Sequence, residues 1–136
     1  MKYYEPVLTR RENDIMCILW DADKPMIASE IAKKMEGLTI NTVQAILRKL
    51  MKQKLVEVGE IVYSGTVLSR AFQPTLTQKE FEVRVAMQSV DSLKKFNVSA
   101  AAFASALLGQ KEEKISIEEL ELLDRMIQEK KQDMQR

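Results

Sequence analysis

The sequence of 136 residues contains no histidine, one cysteine and four glycines. The lack of histidine removes the commonest general base and the commonest transition-metal ligand. Cys17 has no second cysteine for an internal disulfide, and without histidine it is a poor candidate for a catalytic nucleophile. The scattered glycines form no phosphate-binding loop. These shortages predict a protein that is not an enzyme and has no catalytic residue, metal site or cofactor.

Long apolar runs are also missing. No stretch approaches the roughly 20 residues that a helix needs to cross a bilayer, and the N-terminus lacks the apolar centre of a signal peptide. We therefore expect no membrane insertion and a cytoplasmic location. With 46% hydrophobic residues, the chain is long enough for a real core but short for two large domains.

The most informative stretch is residues 38–55, LTINTVQAILRKLMKQKL. Spacing of about 100° per residue predicts an amphipathic helix. From Asn41 to Lys54 there are four basic residues and no acidic one, although the whole chain has a net charge of only +1. Such a helix is anchored by one face and offers the other to a negatively charged partner, with the major groove of DNA as the first candidate. Its apolar stripe is predicted to contain Val43, Ile46, Leu47 and Leu50.

Two shorter helices are predicted before this one. Thr9 and Glu12 have the spacing of a capping box and begin the first, which Trp20 closes as a largely buried side chain. The second spans 29–36 and ends at Gly37, and Thr39 then caps the helix described above. Two helices joined by a tight turn indicate a helix-turn-helix.

After Leu55 the pattern becomes alternating. VEVGEIVY and TVLSRAFQ are rich in strand-forming residues, and Ser64 with Gly65 between them predicts a hairpin turn. Met26 and Ile27 form a candidate short strand. The predicted fold is mainly α with a small β-hairpin wing: a winged helix-turn-helix over residues 1–76, followed by a helical dimerisation domain over residues 77–136.

The C-terminal part reads as three helices with much apolar surface. Capping boxes at Thr77 and Ser116 begin two of them, and the alanine-rich helix of 99–108 lies between. We favour a homodimer, because winged domains that bind palindromic sites act in pairs; the alternative is that these helices fold back on their own chain. The predicted dimerisation residues are Phe103, Leu107, Leu108, Leu120, Leu123 and Ile127.

Taken in order, these stretches resemble the penicillinase-repressor (BlaI/MecI/CopY) family of bacterial transcriptional repressors. The resemblance is carried by the segments LTRRENDIMCILWD, TINTVQAILRKLMKQKLV, AFQPTLTQKEF and ALLGQKEEKISIEELELLDRMIQEKK. It implies an N-terminal winged helix that binds double-stranded operator DNA and a C-terminal domain that forms a homodimer. In the family's β-lactamase systems, which confer antibiotic resistance, a membrane-bound sensor protease triggers cleavage of the repressor. The corresponding region here is Phe103 to Leu108.

For DNA contact, the interpretation assigns roles along the third helix. The front of this helix, residues 39–45, is expected to contact a phosphate and base edges. Its rear, residues 48–52, is expected to contact phosphates. The family often has Ser-Pro-Lys-Thr where this chain has residues 39–42, and a base-contacting threonine where it has Ala45, so we expect a different operator. Arg70 is the basic residue nearest to the family's wing contact. The candidate DNA-binding residues are Thr39, Asn41, Thr42, Gln44, Ala45, Arg48, Lys49, Lys52 and Arg70.

One alternative remains open at this point, and one branch of the family is not expected. The winged helix is equally compatible with a protein–protein interaction module that binds no specific DNA, and Lys49 and Lys52 then belong to an ordinary solvated face. The copper-responsive branch of the family has a cysteine-rich C-terminus, whereas this tail has no cysteine, so copper sensing through thiolates is not expected.

Overall fold

The computed structural model describes residues 8–111 and 115–136. The chain divides into two compact units, Met1–Gln88 and Ser89–Arg136. The predicted division into a DNA-binding and a dimerisation domain concerns function and stays a prediction. The elements are α1 (Arg10–Ala22), β1 (Met26–Ile27), α2 (Ala28–Lys33), α3 (Ile40–Lys52), β2 (Val56–Ser64), β3 (Val67–Pro74), α4 (Gln78–Lys95), α5 (Ala100–Leu108) and α6 (Ile117–Met134).

The capping box predicted for α1 is present. The Thr9 hydroxyl accepts a hydrogen bond from the Glu12 backbone N–H at 3.2 Å, and the Glu12 carboxylate accepts one from the Thr9 N–H at 2.9 Å. These two bonds satisfy backbone donors that the first turn of a helix leaves unpaired. The helix continues two residues beyond Trp20 and ends where Asp23 turns into the left-handed region at φ 56°.

The helix-turn-helix is formed by α2 and α3. Helix α2 ends at Lys33, three residues before the predicted end at Glu36. Gly37 lies in the turn at φ +75°, where a residue without Cβ is favoured. Thr39 caps α3 as predicted, because its hydroxyl accepts from the Thr42 N–H at 3.2 Å. The local signals therefore located the start of α3 correctly, and they overestimated the C-terminal ends of both α2 and α3, the latter predicted to reach residue 55 but ending at Lys52.

A three-stranded antiparallel sheet follows, in the order β1-β3-β2. Its hairpin pairs Val56 with Pro74 at one end and Ser64 with Val67 at the other. The tight turn is therefore made by residues 65–66, one residue later than predicted, with the first of them at φ +70°. The ladder is irregular between Val58 and Glu60. This hairpin is the wing.

The core of the first unit is made where α1, α2, α3 and the sheet meet. Seven side chains there are essentially inaccessible, and burying each contributes roughly 1.5–3 kcal/mol. They are Ile15, Met16, Leu19, Ile31, Val43, Leu47 and Leu50.

Trp20 lies at the edge of this core and is largely buried, as predicted, although it is not completely inaccessible. Its indole Nε1 donates to the Leu76 carbonyl at 2.9 Å, and its ring centroid lies 5.4 Å from that of Phe81. The indole has an apolar body and a polar end that needs an acceptor, so it lies where the chain leaves β3 and enters α4.

The capping box predicted at Thr77 begins α4, the hydroxyl half of the box predicted at Ser116 begins α6, and α5 begins with a Ser99 cap that was not predicted from the sequence. Thr77 and Glu80 form a complete capping box, and Ser99 and Ser116 accept from backbone N–H groups three residues later. None of the described side chains in these three helices is buried. The arrangement as a whole is a winged helix-turn-helix with additional helices, mainly α with a small sheet, as the sequence predicted.

Candidate nucleic-acid interface

The two faces of α3 are separated as its periodicity predicted. Val43, Leu47 and Leu50 are completely buried, and Ile46 is half-buried. The opposite side is exposed and has no acidic residue in its first turn, while its last turn contains Lys49 and Lys52. The helix N-terminus adds partial positive charge at the front. The exposed residues of this face are Asn41, Thr42, Gln44, Ala45, Arg48, Lys49 and Lys52.

The front of α3 holds its two threonines together. The Thr39 and Thr42 hydroxyl oxygens lie 3.0 Å apart, and the Thr39 oxygen also accepts from the Thr42 N–H. One hydroxyl must donate to the other in this arrangement, which leaves remaining donor and acceptor capacity pointing to solvent. The predicted phosphate contact and the predicted base contact are thus neighbours in one hydrogen-bonded pair.

The rear of α3 contacts α1 through an ion pair. The Lys49 Nζ lies 2.7 Å from the Glu12 Oε2, and the Glu12 side chain is 4% exposed whereas that of Lys49 is 55% exposed. Burial by itself raises the pKa of Glu12, but hydrogen bonds from Lys49 and from the Thr9 backbone, together with the lysine charge, hold that pKa below its ordinary value. Glu12 is therefore ionised at neutral pH, and Lys49 is its cationic partner.

A cleft of about 510 Å³ runs between α3 and the wing. Arg48 enters it from the helix and Arg70 from β3, so the cleft brings two predicted DNA-binding cations to one concave surface. Both polar and apolar side chains line its walls. Its lining residues include Ser29, Ile40, Gln44, Met51, Ser64, Leu68 and Ser69.

The wing exposes apolar side chains that the prediction did not assign to the site. Tyr63 is 74% exposed and Leu68 is 59% exposed, and these two residues are paired across the hairpin. Alternation along β3 places Leu68 and Arg70 on the same face as the buried Phe72. The alternating pattern of β3 in the sequence is the signal that could have grouped Leu68 with Arg70.

The predicted dimerisation residues lie on α5 and α6. Five of the six are exposed, and Leu123 is half-buried. The accessible fractions are 41% for Phe103, 44% for Leu107, 54% for Leu108, 40% for Leu120 and 55% for Ile127. The segment predicted to be cleaved, Phe103 to Leu108, lies within helix α5.

Metal binding, membrane insertion and thiol chemistry each depend on specific features of the described residues. In residues 8–111 and 115–136, no group of three or more His, Cys, Asp or Glu side chains is placed to hold a metal ion. Within the same residues no helix combines the length and the apolar character needed to cross a bilayer. Burial raises the pKa of the Cys17 thiol, with further increases from Asp21 and Asp14, so the thiol stays protonated and weakly nucleophilic.

A helix-turn-helix followed by a hairpin wing defines this protein as a winged-helix protein. The sequence profile of the family described as Penicillinase repressor matches residues 8–129. The chain therefore belongs to the penicillinase repressor family, whose members are DNA-binding transcriptional repressors, and it is not an enzyme. This match confirms the predicted family and the prediction that the protein is not an enzyme, and the observed elements confirm a winged helix-turn-helix followed by helices; the role of those helices in dimerisation stays a prediction.

Comparison with curated protein sequences gives no match. Among solved structures, the chain is similar to the reduced form of the transcriptional regulator YodB from B. subtilis, with 19% identity and a TM-score of 0.41 over 62% of this chain and 78% of that one. It is also similar to the adhesin competence repressor AdcR from Streptococcus pyogenes, with 18% identity and a TM-score of 0.42 over 93% of this chain and 80% of that one. Both TM-scores are too low to carry the fold assignment, which rests on this chain's own elements and its family.

Proposed function

We propose that this protein is a dimeric transcriptional repressor that binds a palindromic operator through α3 and the wing. The observation that carries the proposal is the exposed face of α3, which is polar and cationic and continues into the cleft that contains Arg70. A convex helix beside a cationic cleft suits a duplex, because the helix fits the major groove while the cleft accepts the adjacent backbone.

The proposed roles follow position along the helix. The Thr39 hydroxyl and the free amides at the helix start bind a phosphate, whereas Asn41, Thr42 and Ala45 meet base edges in the groove. The methyl group of Ala45 is suited to a thymine methyl, and Gln44 reaches either backbone or base. The cations that set affinity and salt dependence are Arg48, Lys49, Lys52 and, from the wing, Arg70.

The proposed dimer uses the C-terminal helices. The support is that apolar side chains on these helices, among them Leu107, Leu120 and Ile127, are 40–55% exposed, and exposed apolar surface of this kind suits association. A second copy of the same chain supplies a matching surface by two-fold symmetry, and two winged units then address two half-sites. Action on a bacterial operator also implies a cytoplasmic location.

Release from the operator is proposed to occur by proteolysis in α5, triggered by a membrane-bound sensor protease. The Phe103 to Leu108 segment is exposed but helical. Proteases bind extended peptides, so cleavage requires local unfolding of this short helix. Incubation of the dimer with the candidate sensor protease should give a single cut in α5 and loss of DNA binding; a cut elsewhere, or intact binding after the cut, contradicts this part.

The DNA-binding proposal is tested by fluorescence anisotropy with a duplex from the promoter of the protein's own gene and with a shuffled duplex. Thr42→Ala should cost about 1–3 kcal/mol mainly on the promoter duplex, whereas Arg48→Ala should weaken binding to both and flatten the salt dependence. Lys24→Ala, at an exposed cation before β1, is the control and should change neither. Equal losses for Thr42→Ala on both duplexes contradict its role as a base reader.

The same titration separates repression from the alternative of a protein–protein interaction module. Saturable binding at nanomolar concentration that survives competitor DNA supports the repressor. Weak binding that is indifferent to sequence and lost with moderate salt supports the alternative.

The dimer is tested by sedimentation equilibrium. Ile127→Glu should shift the chain to monomer, because a carboxylate would be buried in an apolar interface. Gln128→Glu adds the same charge at the next exposed position and should leave the dimer intact. A monomeric unsubstituted chain, or equal effects of both substitutions, contradicts the proposed interface.

A further inference from the structure

The first turn of α1 contacts the helix-turn-helix at two places. Arg11 Nη1 donates to the Glu36 carbonyl at 3.4 Å, just before α3. Glu12 reaches the rear of α3, where its Oε2 lies 2.7 Å from the Lys49 Nζ. Its other oxygen, Oε1, accepts from the Thr9 N–H at 2.9 Å. One buried carboxylate therefore joins the start of α1 to the end of the candidate recognition helix.

This ion pair supplies something that the apolar contacts of α3 do not. The stripe of Val43, Leu47 and Leu50 holds the helix against the core, but apolar contact has no preferred direction. A charge-assisted hydrogen bond to a fixed oxygen is directional. The buried stripe sets which side of α3 faces outward, and the bond from Lys49 to Glu12, which the capping box holds in place, adds a directional contact that opposes small shifts of α3 against α1.

We propose that Lys49 is a positioning residue held by Glu12, and that the phosphate-binding cations at the rear of α3 are Arg48 and Lys52. This inference rests on the proposed DNA binding and revises one of its assignments. If Lys49 moved to a phosphate, it would leave a carboxylate that is 4% exposed without its cation. Lys49 is 55% exposed, so solvent screens part of the attraction, but the buried Glu12 oxygen would lose its cationic partner, and this opposes the move of Lys49 to a phosphate.

Salt dependence of DNA binding separates the two roles. Each phosphate contact that is lost reduces the slope of log K against log salt by about 0.9. Arg48→Gln and Lys52→Gln should each show that reduction. Lys49→Gln should leave the slope unchanged while it weakens binding to the promoter duplex by about tenfold, because the front of α3 is no longer held in register. Lys49→Arg, which keeps a cation within reach of Glu12, should restore most of the affinity.

Glu12 provides a second, independent readout. Glu12→Gln should reduce affinity in the same way as Lys49→Gln, without a change of slope, and the double variant should bind no worse than either single one. The same cycle measured by urea denaturation, without DNA, should also show coupling. Additive effects in both measurements would overturn the proposed pairing.

A wrong assignment of Lys49 and a wrong proposal of operator binding give different results in these titrations. If the unsubstituted chain does not bind the promoter duplex in preference to the shuffled one, the proposed function and this inference fall together. If it binds, and Lys49→Gln lowers the salt slope as Arg48→Gln does, this inference alone is overturned and Lys49 is a phosphate contact.

Discussion

The winged unit buries Ile15, Leu47 and Phe72 in one core, whereas no described side chain of α5 or α6 is buried. Both regions have amphipathic helices with capped starts, so local sequence features do not separate them. The difference is that α1, α2 and α3 cover one another's apolar stripes together with a sheet, while the stripes of α5 and α6 remain exposed. The first region is built as a folding unit, and the second is suited to association.

The largest expected effect contrasts a leucine from each region. Leu47→Ala should lower the free energy of unfolding by about 2–5 kcal/mol, because it leaves a cavity in a close-packed core. Leu107→Ala, at a side chain that is 44% exposed, should change it by less than about 0.5 kcal/mol when the chain is dilute enough to be monomeric. Urea denaturation measures both. Similar losses would show that the two regions are packed alike.

An intermediate effect is expected where an aromatic ring contacts Trp20. Phe81→Leu should cost about 0.5–1.5 kcal/mol beyond the change in buried area, because the two ring centroids lie 5.4 Å apart. Trp20 is the only tryptophan in the chain, so its fluorescence follows the unfolding of the winged unit. Phe103→Leu, at an exposed ring of α5, is the matched control and should not shift that transition. A shift with both variants would mean that the units unfold as one.

A smaller effect is expected from acid. The pKa of Glu12 is held below its ordinary value of 4.5 in the folded chain, so the carboxylate stabilises the fold fully above about pH 4.5 and this contribution is lost as the pH falls through the lower folded pKa. Glu12→Gln should make the stability of the winged unit less dependent on pH in this window. Denaturation followed by Trp20 fluorescence at several pH values checks this. Unchanged pH dependence would contradict the pairing with Lys49.

The smallest effect is expected at Glu80, which is fully exposed. Hydrogen bonds from the backbone and hydroxyl of Thr77 lower the pKa of its carboxyl group, with a minor contribution from Arg84. As for Glu12, the lowered pKa means that the carboxylate stabilises the fold and that this contribution is lost as the pH falls. Solvent screens the interactions of the exposed Glu80 carboxylate, so its contribution is smaller. Glu80→Gln should therefore alter the acid unfolding of the winged unit less than Glu12→Gln does. The reverse order would show that burial does not govern these two sites.

Local signals predicted α3 well. The Thr39 cap and the 3.6-residue period are properties of adjacent residues, and they gave both the start of the helix and its buried stripe of Val43, Leu47 and Leu50. They were less accurate for α2, which ends at Lys33, because a helix of six residues is too short for periodicity to define its end.

Capping and periodicity could not predict contacts between segments that are far apart in the sequence. Nothing near Trp20 in the sequence indicates that the Leu76 carbonyl would accept a hydrogen bond from its indole. The same holds for the cleft, where Arg70 joins Arg48 because the hairpin runs beside α3. The apolar wing residues Tyr63 and Leu68 had a visible alternating pattern, but alternation alone does not say which strand face meets a ligand.

The sequence by itself determined the order of helices and strands and the side of α3 that is left exposed, because capping and periodicity act over a few residues, and its longer segments carried the resemblance to the family. Only the tertiary structure decided the partner of Lys49. That lysine belongs by spacing to a cationic helix face, yet the packing of α1 against α3 brings a buried carboxylate within 2.7 Å of it. An ion pair between two helices depends on how they pack, and the period of one helix contains no information about the other.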